Sequence, residues 1–408
     1  MKNINLLLPN PLLIYHEKFS PRIAENYSIF KLGLNRIKTC DSRCEESSAE
    51  QFFIYRLFTR QAKNMEPGCY TALITPFNRA EELDWEGLEQ LINFQIDNGI
   101  TGILATGTTG ESPTFKWKEH HSVIARVSAL AKNKCLRIAG TGSNNTAEAV
   151  EAVGHAANEA VDAVLLVDPY YNGPSSLEIR REYYEVIAGT YPGLNIIPYI
   201  IPGRTGAQML PQDLALLAKS CPNVTSVKEA TGNLDNMKLT RKYCGNEFMI
   251  FSGDDALVFD IMTHPDIRAC GSISVMSNIV PKAMTQLVSL LNQGDTAGAV
   301  KLQTALKPLL DLVVVTTQEI CEFGTVSCRS RNPVPVKTLM QLLGMPSGPC
   351  RKPLGKMTQK GFTILLDAVR GVFSGHPEIF EPIGSFFNVD IEKRLYDHEF
   401  QKNLWYSY

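Results

Sequence analysis

In the stretch Thr225-Ser226-Val227-Lys228-Glu229-Ala230-Thr231-Gly232, a lysine sits where a short apolar run breaks off. A surface lysine has no need of that position. An amine at the end of a buried strand, in a partly apolar mouth, has its charged form disfavoured and becomes a nucleophile. It can condense with a keto group, and the resulting Schiff base is an electron sink for enamine formation. That chemistry needs proton shuttling, which tyrosine hydroxyls linked through a threonine can supply. Tyr170, Tyr171 and Tyr199 and the threonines of Gly107-Thr108-Thr109-Gly110 are of the right types. The backbone N–H groups of that Gly-Thr-Thr-Gly turn, ahead of a helix, form a nest suited to a keto-acid carboxylate. Arg204 offers a planar fork for a second carboxylate. Taken singly, each has an ordinary structural explanation: a solvated loop lysine, packing tyrosines, a tight turn, a surface ion pair. Their convergence on one rim is what points to chemistry.

The elements that must position them alternate with regularity. β-rich runs fall at residues 70–77, 101–107, 135–142, 162–169, 194–200, 223–230, 248–254 and 269–275. Helical patterns lie between most of them, as at Trp85–Asn98, Trp117–Ala131, Ala147–Asn158 and Ser176–Thr190. Eight strands with seven intervening segments predict an α/β chain, a (β/α)8 TIM barrel over residues 65–279 whose strand C-termini form the active face. No GxGxxG or Walker pattern supports an open doubly wound sheet. Residues 283–293, 295–320, 332–344 and 358–373 read as helices, a C-terminal helical appendage over 280–374. Residues 375–408 are aromatic-rich and aperiodic and are left without a role.

Residues 1–64 carry ten Lys/Arg against six acidic residues and show no sustained period. They read as an extension outside the fold, with Met65 a natural domain start. Pro9 and Pro11 break the first apolar burst, which argues against a secretory signal, and Glu45, Glu46 and Glu50 argue against a transit peptide. The expected location is the cytoplasm, or a plastid if residues 1–64 serve as a transit segment. A net charge of −2 gives no electrostatic case for nucleic acid, and no apolar run approaches the roughly 20 residues that span a bilayer. The ten cysteines include no CxxC pair. No metal or organic cofactor is expected, since the lysine is its own electron sink.

The segments Gly107-Thr108-Thr109-Gly110-Glu111-Ser112, Pro169-Tyr170-Tyr171-Asn172, Arg204-Thr205-Gly206, Lys228 to Asn233 and Ser252-Gly253-Asp254-Asp255 together resemble the dihydrodipicolinate synthase branch of the pyruvate-dependent class I aldolases. The resemblance spans about residues 67–370, with the motifs in the family's order. It implies condensation of pyruvate with L-aspartate 4-semialdehyde to 4-hydroxy-tetrahydrodipicolinate, in lysine and diaminopimelate synthesis. It makes Lys228 the Schiff-base lysine, Tyr199 the proton relay and Thr108 the bridge between two tyrosines. Tyr171 is then the tyrosine that completes the relay in the neighbouring subunit, which implies an obligate dimer, paired in most of the family into a homotetramer. Thr108 and Thr109 match the pyruvate-carboxylate nest, Arg204 the semialdehyde's carboxylate contact, and Gly253 and Ile273 the pocket lining.

One position departs from the family pattern: Ile200 stands where asparagine follows the relay tyrosine, which puts the geometry of that loop in question. Feedback-inhibited members bind lysine at the tight-dimer interface. The matching positions here are Ser112, Pro113, Trp117, His120, Asn144, Glu148 and Tyr170, with Glu148 set to pair the effector's ammonium groups and Trp117 to cover its aliphatic stem. Two other readings remain. One is a sister aldolase, such as N-acetylneuraminate lyase or a 2-keto-3-deoxy-sugar-acid aldolase. The other is a silent paralogue that senses a keto acid or lysine.

Overall fold

The computed structural model describes residues 65–407; the reading of residues 1–64 as an extension falls outside them. Eight parallel strands close on themselves: β1 (Gly68–Ala72), β2 (Gly102–Ala105), β3 (Leu136–Gly140), β4 (Ala163–Val167), β5 (Asn195–Ile200), β6 (Ser226–Glu229), β7 (Met249–Ser252) and β8 (Gly271–Ser274). The barrel expected from the alternation is therefore the observed fold. Between strands run α1 (Trp85–Asp97), α2 (Trp117–Ala131), α3 (Thr146–Asn158), α4 (residues 176–190, with a π-helical turn at Ile179–Tyr184), α5 (Pro211–Ser220), α6 (Leu234–Cys244) and α7 (Val258–Thr263). The helix starts are written locally. Asp84, Asn145 and Asn233 each accept a bond from a backbone N–H of the first turn of α1, α3 and α6.

The strands are buried on both faces, as parallel strands under helices must be. Alternate residues serve two cores. Tyr70, Leu104, Ile138, Leu165, Ile197, Phe251 and Ile273 fill the barrel interior, whereas Val164, Leu166, Ile196, Val227 and Ile250 pack outward on the helices. The closing seam needs glycine: a Cβ at Gly271 would lie 1.9 Å from the carbonyl oxygen of Gly68.

After β8 come α8 (Pro281–Gln293) and α9 (Thr296–Leu310), but the helix expected to continue to 320 stops there. Residues 314–331 instead form an antiparallel hairpin, β9 (Val314–Cys321) and β10 (Gly324–Arg331), turning at Glu322 and Phe323. The apolar content of 309–315 had suited a helix. Beyond it the β-branched run alternates strictly, with Val315, Thr317 and Glu319 buried and Thr316, Gln318 and Ile320 exposed, a period of two that no helix can bury. The chain then returns to helix in α10 (Val334–Leu343) and α11 (Gln359–Gly375).

The segment left without a role is folded. In α12 (Glu381–Phe387), Phe386 and Phe387 pack their rings 5.3 and 5.1 Å from Phe94 of α1. Trp405–Tyr406 pair in parallel with Met357–Thr358, and Trp405 stacks on Phe362 at 4.8 Å. Its sequence lacks a period because it is laid piecewise over surfaces that other elements present.

Candidate active site

The register decides the centre. Tyr199 of β5 and Lys228 of β6 are neighbours across the ladder, so both side chains enter the barrel mouth from the same face of the sheet. The Lys228 Nζ sits 4.4 Å from the centre of the Tyr199 ring, and Lys228 is only 4% exposed. Burial pushes its pKa down to about 7, with Arg204 adding to the fall and Asp255 opposing it. An unperturbed lysine at pH 7 is neutral in only roughly one molecule in a few thousand; at this pKa about half carry a free lone pair. Its neighbour Glu229 faces the helix layer, where Oε1 accepts the Thr231 N–H (2.8 Å) and Oε2 the Asn236 amide (3.3 Å). The Lys-Glu dipeptide thus divides by the alternation of the strand: the amine into the barrel mouth, the carboxylate outward to anchor the loop.

Gly253 forms the wall behind the amine. A Cβ there would lie 2.8 Å from the Ala230 Cβ and 3.0 Å from the Lys228 Cε. Ile273 of β8 is fully buried in the same interior. Asp255 accepts the N–H groups of Val275 and Met276 at 2.9 and 2.8 Å and so holds the chain leaving β8.

Tyr199 hydrogen-bonds to Thr108, and burial pushes its phenol up to about 12, partly offset by Arg204, by that bond and by Arg331. It therefore keeps its proton at neutral pH and can hand it on. The turn carrying Thr108 is fixed by Glu111 in a left-handed conformation (φ 60°) and by the Glu111 N–H donating to the Thr108 carbonyl. Among the described residues no carbonyl accepts the N–H of Thr108 or Thr109, which leaves both free for an anion. The Thr109 hydroxyl accepts the side-chain amide of Asn332 at 2.9 Å. Arg204 lies on a helical turn, Pro202–Thr205, and its Nη2 donates to the Asn332 carbonyl (2.8 Å).

Ile200 does not disturb this loop. Its side chain is buried in the outer core behind the sheet. The backbone holds the turn, with the Ala230 N–H donating to the Ile200 carbonyl and the Arg204 and Thr205 N–H groups to that of Ile201. Apolar burial, about 1.5–3 kcal/mol for such a side chain, stands where a hydrogen bond was expected.

Tyr171 is not brought to the site of its own chain. It is 89% exposed, in the left-handed region at φ 74°, a conformation costing an aromatic residue on the order of 1 kcal/mol. Beside it, Ser112, Pro113, Trp117, His120, Asn144, Glu148 and Tyr170 converge on a cavity of about 200 Å³. Thr108 and Tyr199 line the same cavity. The His120 Nε2 lies 2.9 Å from the Gly140 carbonyl, and burial pushes the ring down to about 4, so it stays neutral and donates there. Glu148 accepts from the Ser143 hydroxyl at 2.7 Å, and burial with the Glu148 charge raises the Tyr170 phenol.

Sequence reasoning missed the C-terminal contributions. Lys337 of α10 is buried against Glu111 (Nζ to Oε1 2.7 Å) and also donates to the carbonyls of Thr75 and Pro349. Glu111, read only as part of a turn motif, ties the Thr108–Thr109 turn to the appendage. Asn332 and Arg331 reach the rim from over a hundred positions away, and no local pattern announces them.

A barrel with a half-neutral lysine buried at a strand end, a protonated tyrosine beside it, an open anion nest and an arginine fork defines a Schiff-base-forming aldolase-type lyase. The Dihydrodipicolinate synthetase family model matches residues 65–370. The chain is 40% identical over 295 residues to 4-hydroxy-tetrahydrodipicolinate synthase of Endomicrobium trichonymphae, covering 72% of this chain and 94% of that protein. Among solved structures, the 4-hydroxy-tetrahydrodipicolinate synthase of Methylacidiphilum fumariolicum superposes with a TM-score of 0.70 at 33% identity (78% and 99% of the two chains). The dihydrodipicolinate synthase of Cyanidioschyzon merolae, solved with lysine bound, gives 0.69 at 32% identity (76% and 99%). The chain belongs to the dihydrodipicolinate synthetase family.

Proposed function

We propose that this protein condenses pyruvate with L-aspartate 4-semialdehyde to give 4-hydroxy-tetrahydrodipicolinate, serving lysine and diaminopimelate synthesis. The observation that carries the reading is the Lys228 amine, buried over Tyr199 and held near neutrality. The neutral amine adds to C2 of pyruvate and water leaves, forming the imine, while the free N–H groups of Thr108 and Thr109 hold the carboxylate. Loss of a C3 proton gives the enamine, whose C3 attacks the aldehyde of the acceptor. Tyr199 supplies the proton to the new hydroxyl, with Thr108 passing protons along the relay. The acceptor's own amino group then displaces Lys228 from the imine and closes the ring. Arg204, exposed at the rim with no acidic partner among the described residues, holds the acceptor carboxylate. No step calls for a cofactor. Borohydride reduction in the presence of pyruvate, followed by peptide mass spectrometry, tests the reading. A reduced pyruvyl adduct on Lys228 is expected, and an unmodified Lys228 refutes it.

Tyr171 acts in trans in this reading: an exposed, strained aromatic side chain is better accounted for by insertion into a second copy's site than by solvation. The working unit is then a dimer, or a tetramer of two dimers. L-lysine inhibits by entering the cavity beside Tyr170, where Glu148 meets an ammonium group and Trp117 covers the stem; Thr108 and Tyr199 on the same cavity wall make the coupling short. Titration calorimetry with L-lysine shows binding that Glu148→Gln weakens; no heat together with unchanged activity removes this part. The enzyme works in the cytoplasm, or in a plastid if residues 1–64 act as a transit segment; among the described residues no helix is long and apolar enough to cross a membrane.

A further inference from the structure

The hairpin β9–β10 ends on Arg331, and that residue reaches the acceptor side of the mouth. Its Nη1 donates to the Gly203 carbonyl at 3.0 Å, and its Nη2 lies 3.7 Å from where a Cβ on Gly203 would stand. Arg204, the next residue, returns the contact by donating to the carbonyl of Asn332, the residue after Arg331. Each arginine thus clasps the backbone of the residue adjoining the other, Gly203 and Asn332, and both bias the Tyr199 hydroxyl toward ionisation. Arg329, two residues earlier on the same strand, adds a third positive charge to which both respond.

Three guanidinium groups in one place repel one another, and arginine cannot shed its proton to relieve the cost. Among the described residues none of the three lies in an ion pair. The Arg331 Nε is buried with no hydrogen-bond partner, as is the Oδ1 of Asn332, a residue 7% exposed. With Nη1 spent on Gly203, the side of the guanidinium left unpartnered is Nε with Nη2. That pair is the fork that grips a carboxylate through two parallel bonds.

We infer that Arg331, delivered by the hairpin, is a second direct contact for the carboxylate of the acceptor aldehyde beside Arg204, so that the hairpin takes part in acceptor specificity. This rests on the condensation proposed above and concerns only its second half. The competing role is a clamp: Arg331 holding the turn that carries Arg204, with no contact to substrate.

Arg331→Gln and Arg331→Lys in the full chain separate the two. A lost charge-assisted pair raises the KM for L-aspartate 4-semialdehyde roughly 10- to 100-fold, with kcat within a few-fold because the contact is made equally before and during the reaction. Arg331→Lys falls between, keeping the charge without the fork. The KM for pyruvate and the yield of the borohydride-trapped adduct stay at wild-type values; that adduct reports the pyruvate reading independently. The decisive readout is salt: the rise of the aldehyde KM with ionic strength is shallower in Arg331→Gln than in wild type, since one screened interaction is gone. An aldehyde KM within about twofold of wild type overturns the inference. So does loss of the pyruvate adduct in the variant, or a raised KM with an unaltered salt slope, which is the clamp's signature.

Discussion

Replacing Lys228 by methionine removes the reacting amine and, because that amine is held against its own charge, stabilises the fold. The folded pKa of about 7 lies below the ordinary lysine value of 10.5. Between those two values the unfolded chain binds a proton that the folded chain does not, so wild-type stability rises with pH across that window. At or below pH 6 both states are largely protonated and the penalty is nearly complete, on the order of 5 kcal/mol at 1.36 kcal/mol per pKa unit. At pH 7 it is about 4, at pH 9 about 2, and above pH 10.5 it vanishes. Methionine has similar length and no charge, so Lys228→Met recovers this energy and fills the same space. Urea unfolding of both proteins at pH 6 and pH 9 measures it: the variant is more stable, and its advantage shrinks by about 2–3 kcal/mol between the two pH values. Enzyme and variant share every other titrating group, so those contributions cancel in the difference. An advantage that does not change between pH 6 and 9, or a variant less stable than wild type at both, refutes the claim that the amine is neutralised by burial. The same pKa sets the reaction: the rate of imine formation with pyruvate climbs from pH 6 to 8 with an apparent pKa near 7 in wild type.

Other outcomes follow from contacts already described. Gly253→Ala drives a Cβ to 2.8 Å from the Ala230 Cβ and 3.0 Å from the Lys228 Cε; it costs about 1–3 kcal/mol in unfolding experiments and lowers kcat at least tenfold, and wild-type turnover in a fully folded variant contradicts the role of that wall. Lys337→Met strands Glu111 without its cation and costs about 3–5 kcal/mol, while the double variant Glu111→Gln with Lys337→Met recovers much of the loss; additive losses in the urea midpoints speak against the buried pair. Tyr171→Phe and Lys228→Ala are each nearly inactive, but subunits of the two, unfolded and refolded together, regain up to about a quarter of wild-type activity, because half the dimers are mixed and each has one intact site. Activity that stays at background after mixing places Tyr171 outside the partner's site.

The barrel and its strand-end face are legible in the sequence. Local order wrote the strands as short runs of buried type separated by helices; alternation puts Lys228 and Glu229 on opposite faces of one strand, and the closed sheet decides that Lys228 is the inward one. Lys228, Tyr199, Thr108 and Arg204 stand at strand ends, where a barrel collects its chemistry whatever the loops do. What tertiary structure alone decided came from positions with no local signal. The apolar content of residues 309–315 suits a helix or a strand equally, and the pairing of β9 with β10 decided for the hairpin. Ile200 looked like a lost hydrogen bond until the sheet turned its side chain to the outer core. Glu111 gained its meaning from Lys337, and Arg204 its neighbours Arg331 and Asn332, from segments more than a hundred residues away. A sequence reports the neighbours of each residue along the chain, and its period tells which face is dry; the charges that meet across the mouth are set by how the appendage folds back over the barrel, which no single stretch encodes.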